Sequence, residues 1–144
     1  MTQGKFDWFH NSFKPDGYFS SSVDYVPLKV RLAVNTIQKG ASAAMTYYVG
    51  NNSLYNPATA TVDVDVYLST NSDISTFDTK IQSHSFNWNF GPITKVQVNV
   101  GSVTIPANTS AGSKYLGVIV NESDASTSNN DTDGWDAHRI IVTN

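Results

Sequence analysis

In Thr61-Val62-Asp63-Val64-Asp65-Val66-Tyr67-Leu68, valine and aspartate alternate with a strict two-residue period. A β-strand sends successive side chains to opposite faces, so Val62, Val64 and Val66 face one way and Asp63 and Asp65 the other. The same residues on a helix would leave the valines scattered round the axis. This stretch is a half-buried strand, and it sets the period to look for elsewhere.

The period recurs on both sides. Upstream are Leu28-Lys29-Val30-Arg31-Leu32-Ala33-Val34 and Met45-Thr46-Tyr47-Tyr48-Val49. Downstream are His84-Ser85-Phe86-Asn87-Trp88, the run from Ile93 to Val100, Tyr115-Leu116-Gly117-Val118-Ile119-Val120, and His138-Arg139-Ile140-Ile141-Val142. Turn signals separate the runs: Gln38-Lys39-Gly40, Gly50-Asn51-Asn52, Asn56-Pro57, Gly91-Pro92, and the stretch from Pro106 to Gly112. No window carries a 3.6-residue apolar stripe, and a single helical turn over 75–80 is the most that the sequence suggests. The connections are too short for crossover helices. The fold class expected is therefore all-β: an immunoglobulin-like antiparallel β-sandwich of about seven strands. Val62, Val64 and Val66 should sit on a strand beside Leu116, Val118 and Val120, with all six facing the core.

A chain of 144 residues is the size of one domain. Charged residues make up only 15%, so Ser, Thr, Asn and Gly must cover much of the surface, a composition common in extracellular adhesive domains. The net charge of −3, with no Lys/Arg cluster, argues against a nucleic-acid partner. With no cysteine, disulfides and thiolate metal sites are excluded. No apolar run approaches the ~18 residues of a membrane span, and Met1 to Asp16 lacks the basic and apolar regions of a signal peptide.

Residues 1–26 differ from the rest. Phe6, Trp8, Phe9, Phe13, Tyr18, Phe19 and Tyr25 alternate with polar residues, too aromatic for a free tail. Two domains of behaviour are expected: an aromatic N-terminal extension over 1–26, packed on its own domain or on a neighbour, and the sandwich over 27–144. Pro15-Asp16-Gly17 is a turn signal that favours packing on its own domain. Self-association through this arm is the alternative.

Several motifs occur in an informative order: Val49-Gly50-Asn51-Asn52, Val66-Tyr67-Leu68-Ser69-Thr70, Asp73-Ile74-Ser75-x-x-Asp78, Ile105-Pro106, Gly112-x-x-Tyr115-Leu116-Gly117-Val118-Ile119-Val120, and Asn129-Asn130 before the last strand. In order and spacing, the region from Val30 to Val142 resembles the CARDB domain, the cell-adhesion-related domain of bacteria. The resemblance implies an immunoglobulin-like sandwich with binding or spacing roles in larger extracellular proteins. Two features depart from that family. Asp124-Ala125-Ser126-Thr127-Ser128 stands where the family has an acidic Glu-Ser-Asn stretch, and the aromatic extension has no counterpart.

Asn121 to Asp136 carries the strongest chemical signal. It ends Asn129-x-Asp131-x-Asp133-Gly134, with oxygen ligands at alternate positions before a glycine, as in the front half of a calcium loop. The closing position of such a loop falls on Ile140, so Asp124 or Asp136 would have to complete the set. An acidic turn whose Asn and Asp side chains satisfy backbone groups competes with calcium as the cofactor, and is the weightier reading. Asp73 and Asp78 are expected to cap local turns.

In an immunoglobulin-like sandwich the connections after Gly50 and after Asn121 lie at one end. That end would gather Asn51, Asn52, Tyr55, Asn56 and Trp135, a mixture of amides and aromatic faces suited to sugars. The competing expectation is that Trp135 packs into the sandwich end and anchors the loop.

Catalytic signatures are missing. His10, His84 and His138 are scattered, and Asp63 with Asp65 suggests solvation more than glycoside hydrolysis. The chain is expected to be a non-catalytic extracellular or cell-surface module, adhesive or structural, with a carbohydrate or protein surface as partner. The alternatives are a carbohydrate-binding module and a structural subunit of a virion, fibre or filament.

Overall fold

A computed structural model describes residues 24–51, 60–88, 94–121 and 131–144. Along the chain run β1 (Tyr25–Leu32), β2 (Thr36–Gln38), β3 (Ser42–Asn51), β4 (Ala60–Ser69), β5 (Thr79–Trp88), β6 (Lys95–Thr104), β7 (Gly112–Val120), a one-turn 3₁₀ helix (Gly134–Asp136) and β8 (His138–Thr143). They form two sheets, ordered β1-β3-β6 and β2-β8-β7-β4-β5. This is the expected immunoglobulin-like sandwich. No helix among the described residues is long and apolar enough to cross a membrane.

The alternating valines of β4 make the centre of the larger sheet. β4 pairs antiparallel with β7, with Val64 opposite Val120, Val66 opposite Val118 and Leu68 opposite Leu116. All of these side chains and Val62 are buried. They meet Val30, Leu32, Met45, Tyr47, Val49, Val98 and Val100 from the smaller sheet in one core. Each strand gives this core alternate residues, which is why period two was so visible in the sequence.

The first strand departs from the sequence reading in three ways. It begins at Tyr25, so Tyr25 and Val26, assigned to the extension, belong to the sandwich. The rest of residues 1–26, apart from Asp24, lies outside the described residues. Next, Leu28, Val30 and Leu32 do not share a face. Val30 and Leu32 enter the core, whereas Leu28 joins Val26 and Tyr48 in a separate cluster. The register slips between Leu28 and Arg31, and Lys29 between them adopts φ 49. A bulge of this kind adds one residue and reverses the alternation beyond it. Third, the chain leaves the smaller sheet after Leu32 and enters the larger one as β2, where Thr36–Gln38 runs parallel to β8 beside Ile141–Thr143. The other strand pairs among the described residues are antiparallel. Short as it is, β2 is the strand that the sequence reading missed.

The outer face of the larger sheet carries a second apolar cluster of Tyr67, Ile74 and Ala137, with Tyr115 and Ile119 packed against it. The β4–β5 connection makes a tight turn there, not a helical one, and folds Ile74 over β7. Gly117 makes that approach possible. A Cβ at this position would collide with the Ile74 side chain and lie 2.5 Å from Thr132 Oγ1. Thr132 itself sits on the β7 edge, where its Oγ1 accepts the Val118 N–H at 3.1 Å. Gly117→Ala is therefore expected to lower stability by about 1–3 kcal/mol. Combining it with Ile74→Ala should cost less than the sum of the two single changes in urea unfolding, because the second change removes the collision with Ile74 and leaves only that with Thr132. Additive losses would contradict this packing.

Candidate functional site

The site grows from the bulge in β1. A bulge leaves the extra residue out of the strand ladder, and Lys29 also adopts a left-handed backbone that is uncommon outside glycine. Its N–H donates to the Asp136 carboxylate at 3.0 Å. Asp136 is fully buried, at the end of the 3₁₀ turn. Gly134, at φ 54, supplies the left-handed step that opens this turn. The Asp136 N–H donates to the Asp133 carbonyl and the Gly134 N–H to Ser72 O, both at 3.0 Å. The turn is thus tied to β1 on one side and to the β4–β5 connection on the other.

Between Gly134 and Asp136 the turn presents Trp135, which is 50% exposed. The Arg31 guanidinium lies 4.5 Å from its ring centroid and the Lys29 ammonium 5.8 Å. Arg31 also donates to the Trp135 carbonyl at 2.9 Å and to the Val30 carbonyl at 2.6 Å. The cation is held on the ring by two fixed backbone acceptors as well as by the ring quadrupole. Burial lowers the Arg31 pKa, and the Asp136 carboxylate opposes that shift. The result is a half-open indole with two cations against it, on a backbone with little freedom.

His138 braces the same corner. Its Nδ1 accepts the Leu32 N–H at 2.9 Å, which leaves the proton on Nε2 to donate to Asn35 Oδ1 at 2.9 Å. A neutral ring with a defined tautomer therefore links the end of β1 to the segment that crosses between sheets. A second histidine closes the other side of the sandwich. His84 Nε2 on β5 lies 2.6 Å from the Tyr47 hydroxyl on β3, a hydrogen bond between the two sheets. Burial pushes the Tyr47 hydroxyl pKa up.

The expected site residues fall in different places. Trp135 lies beside the middle of β1, with its ring half open, rather than inside the sandwich end. The reason is the path of residues 131–133, which run along the edge of β7. Asp131 bridges Ile119, the Thr132 N–H donates to Val118 O, and Asp133 bridges Asp73. Asn51 ends β3 fully buried, and its Oδ1 accepts the Asp24 N–H at 3.2 Å. Asn52, Tyr55 and Asn56 lie outside the described residues.

Of the proposed metal ligands, Asp124 and Asn129 also lie outside the described residues. Asp136 is buried, with its Oδ1 accepting the Lys29 N–H. Asp131 and Asp133 follow the β7 edge, and the Asp133 backbone pairs with that of Asp73. Among the described residues no three His, Cys, Asp or Glu side chains gather into a group suited to a metal ion. Asp78 caps its turn as expected, with Oδ2 accepting the Ser75 N–H at 2.8 Å. Asp73 does not: its own N–H donates to Asn71 Oδ1 at 2.9 Å.

The sequence reading passed over Lys29 and Arg31 as the polar half of an alternating strand. A signal was present, since two cations two residues apart beside an exposed tryptophan make a cation–π contact. Only the bulge and the 3₁₀ turn bring the two segments together.

No family model matches the chain, and no curated protein matches it. Solved structures do. A CARDB domain from Pyrococcus furiosus, crystallised in complex with di-metal ions, superposes with a TM-score of 0.56 at 13% identity, over 88% of this chain and 93% of that one. The solution structure of a CARDB domain from the same organism gives 0.51 at 18% identity, over 86% of this chain and 98% of that one. A β-glucosidase from Erythrobacter marinus gives 0.50 at 10% identity, over 84% of this chain but only 16% of the enzyme. At such identities the likeness is one of fold alone.

Both described histidines respond to pH in the same direction. Burial is the leading cause that lowers each pKa. For His138 the Arg31 charge adds to the effect, whereas for His84 the Asp65 carboxylate opposes it. The unfolded chain then binds protons that the folded one resists, so stability is fully present above about pH 6.5 and falls as the medium is acidified below that value. Melting temperature should drop between pH 7.5 and pH 5, and His84→Gln should reduce that drop. A melting temperature that is level across this interval would contradict the assignment of two neutral, framework-bound histidines.

Proposed function

We propose that this chain is a non-catalytic immunoglobulin-like module that works by contact, an adhesive or spacing domain on a cell surface or in a secreted protein, with Trp135 as its contact residue. The observation that carries this reading is the half-open Trp135 ring, held by Arg31 and by the turn anchored through Asp136. Preorganised tryptophan and arginine are the side chains that dominate binding surfaces, because little freedom is lost when a partner covers them. The side chains suited to acid–base work support the same reading. Both nitrogens of His138 are engaged, His84 is bonded to Tyr47, Asp136 to Lys29, and Asp65 accepts from Ser83 at 2.7 Å. The CARDB-like fold agrees with a binding or spacing role.

A carbohydrate partner is the second reading, favoured by a specific feature: a flat indole with a guanidinium and an ammonium beside it. Sugars stack their apolar faces on such rings, and acidic sugars would add charge to the contact. A glycan array probed with the purified domain tests both readings. The carbohydrate reading predicts bound glycans, enriched in uronic or sialic acids, whose affinity falls about tenfold or more in Trp135→Ala without loss of the folded state. Glycan binding that Trp135→Ala leaves unchanged would remove Trp135 from the contact. An array with no bound glycan would exclude the sugar and leave a protein surface as the partner.

A further inference from the structure

The β4–β5 connection carries a second exposed aromatic, at the other end of the sandwich from the connection that follows β3. Phe77 is 98% exposed. Its turn is not slack. The Asp78 carboxylate accepts the Ser75 N–H at 2.8 Å, the Asp78 N–H donates to Ser75 O at 3.1 Å, and the Phe77 N–H donates to Ser75 Oγ at 3.2 Å. Three bonds within four residues thus fix the backbone that holds a phenyl ring out in water. A folded chain gains nothing of its own from such an arrangement, because an apolar ring loses free energy for as long as it stays hydrated.

Beside this knob lies a hole. A cleft of about 260 Å³ opens at the same end, between the end of β4 and the β6–β7 connection; Leu68 and Pro106 give it apolar surface, and serine, threonine, Asn108 and Lys114 side chains supply the rest of its lining. A cavity of ~150 Å³ is enough for benzene, so the cleft has room for a phenyl ring. Thr70 and Thr79, which line the cleft, flank the turn that carries Phe77, so that turn lies beside the cleft. The charges match as well. Asp78 follows the knob, and Lys114 lines the hole, its Nζ 3.0 Å from Ser110 Oγ.

We propose that this end of the domain is a self-association surface, on which two copies meet about a twofold axis and each places Phe77 in the other's cleft. Knob and hole share one end, and this decides the symmetry. A twofold contact needs both partners of the pair on a single patch, whereas knob and hole at opposite ends would give an open filament. Asp78 of each copy then approaches Lys114 of the other. The surface is separate from Trp135, which stays open in the pair, so two copies would present two contact residues to one partner surface and gain avidity. The inference does not rest on the function assigned to Trp135.

Two rings in two small clefts make a weak dimer, with a dissociation constant of about 10⁻⁴–10⁻³ M. Sedimentation equilibrium of the full chain across that range tests it. Wild type should rise from monomer to dimer mass and stop there. Phe77→Ala, a change at a fully hydrated side chain, should stay monomeric with an unchanged melting temperature, and Thr109→Trp, which fills the cleft, should do the same. An equimolar mixture of the two variants retains one intact knob and one intact hole, and should regain association weaker than wild type. A wild type that remains monomeric throughout, a dimer that survives Phe77→Ala, or mass that grows past dimer would each overturn the proposal. So would a monomer whose Phe77 is instead needed for cosedimentation with phosphatidylglycerol vesicles, which would assign the ring to a lipid surface.

Discussion

The buried carboxylate of Asp136 joins the bulge in β1 to the 3₁₀ turn that precedes β8. It accepts the N–H of Lys29, a residue outside the strand ladder and in a left-handed conformation. Without that acceptor the bulge in β1 would bury an unsatisfied donor, at a cost of about 1–3 kcal/mol. The bulge in turn reverses the side-chain alternation of β1, so that Val26 and Leu28 face away from the core while Val30 and Leu32 enter it. One carboxylate therefore sets the face of half a strand, the position of the 3₁₀ turn, and the place of Trp135 beside Arg31.

A division of labour follows. The inner faces are general: valines, leucines and isoleucines from both sheets fill a core that tolerates exchange among apolar residues of similar volume. The edges are specific. His138 joins β1 to the crossing segment through both ring nitrogens, and His84 joins β5 to β3 through Tyr47. Thr132 and Gly117 let residues 131–133 lie against β7. These polar contacts turn a generic sandwich into one with a fixed aromatic platform, and they place the exposed rings of Trp135 and Phe77 on rigid turns.

The core was legible in the sequence because period two survives translation into structure. Val62, Val64, Val66, Leu116, Val118 and Val120 face inward on neighbouring strands, as their spacing requires. The bulge was not legible. Leu28 to Leu32 alternates without a break, and nothing in Lys29 marks it for a left-handed backbone. The acceptor that makes this tolerable lies more than a hundred residues away in sequence. The parallel strand β2 escaped notice for a related reason, since three residues carry too little pattern to distinguish a strand from a turn. Trp135 was singled out in the sequence as a contact or an anchor, but its neighbours were not legible there, because nothing in the sequence reveals that residues 131–133 run along β7 before the turn. Phe77 was passed over as part of a turn whose capping aspartate, Asp78, was recognised.

Backbone amide exchange at Lys29 tests the role of Asp136 most directly. If the carboxylate holds the bulge, the Lys29 amide exchanges slowly in the native chain. In Asp136→Ala it should lose most of that protection, while the amides of Val66 and Val118, held in the β4–β7 ladder, remain slow. Equal protection of Lys29 in the two proteins would show that the bulge stands without Asp136, and would contradict the account of how the platform is built.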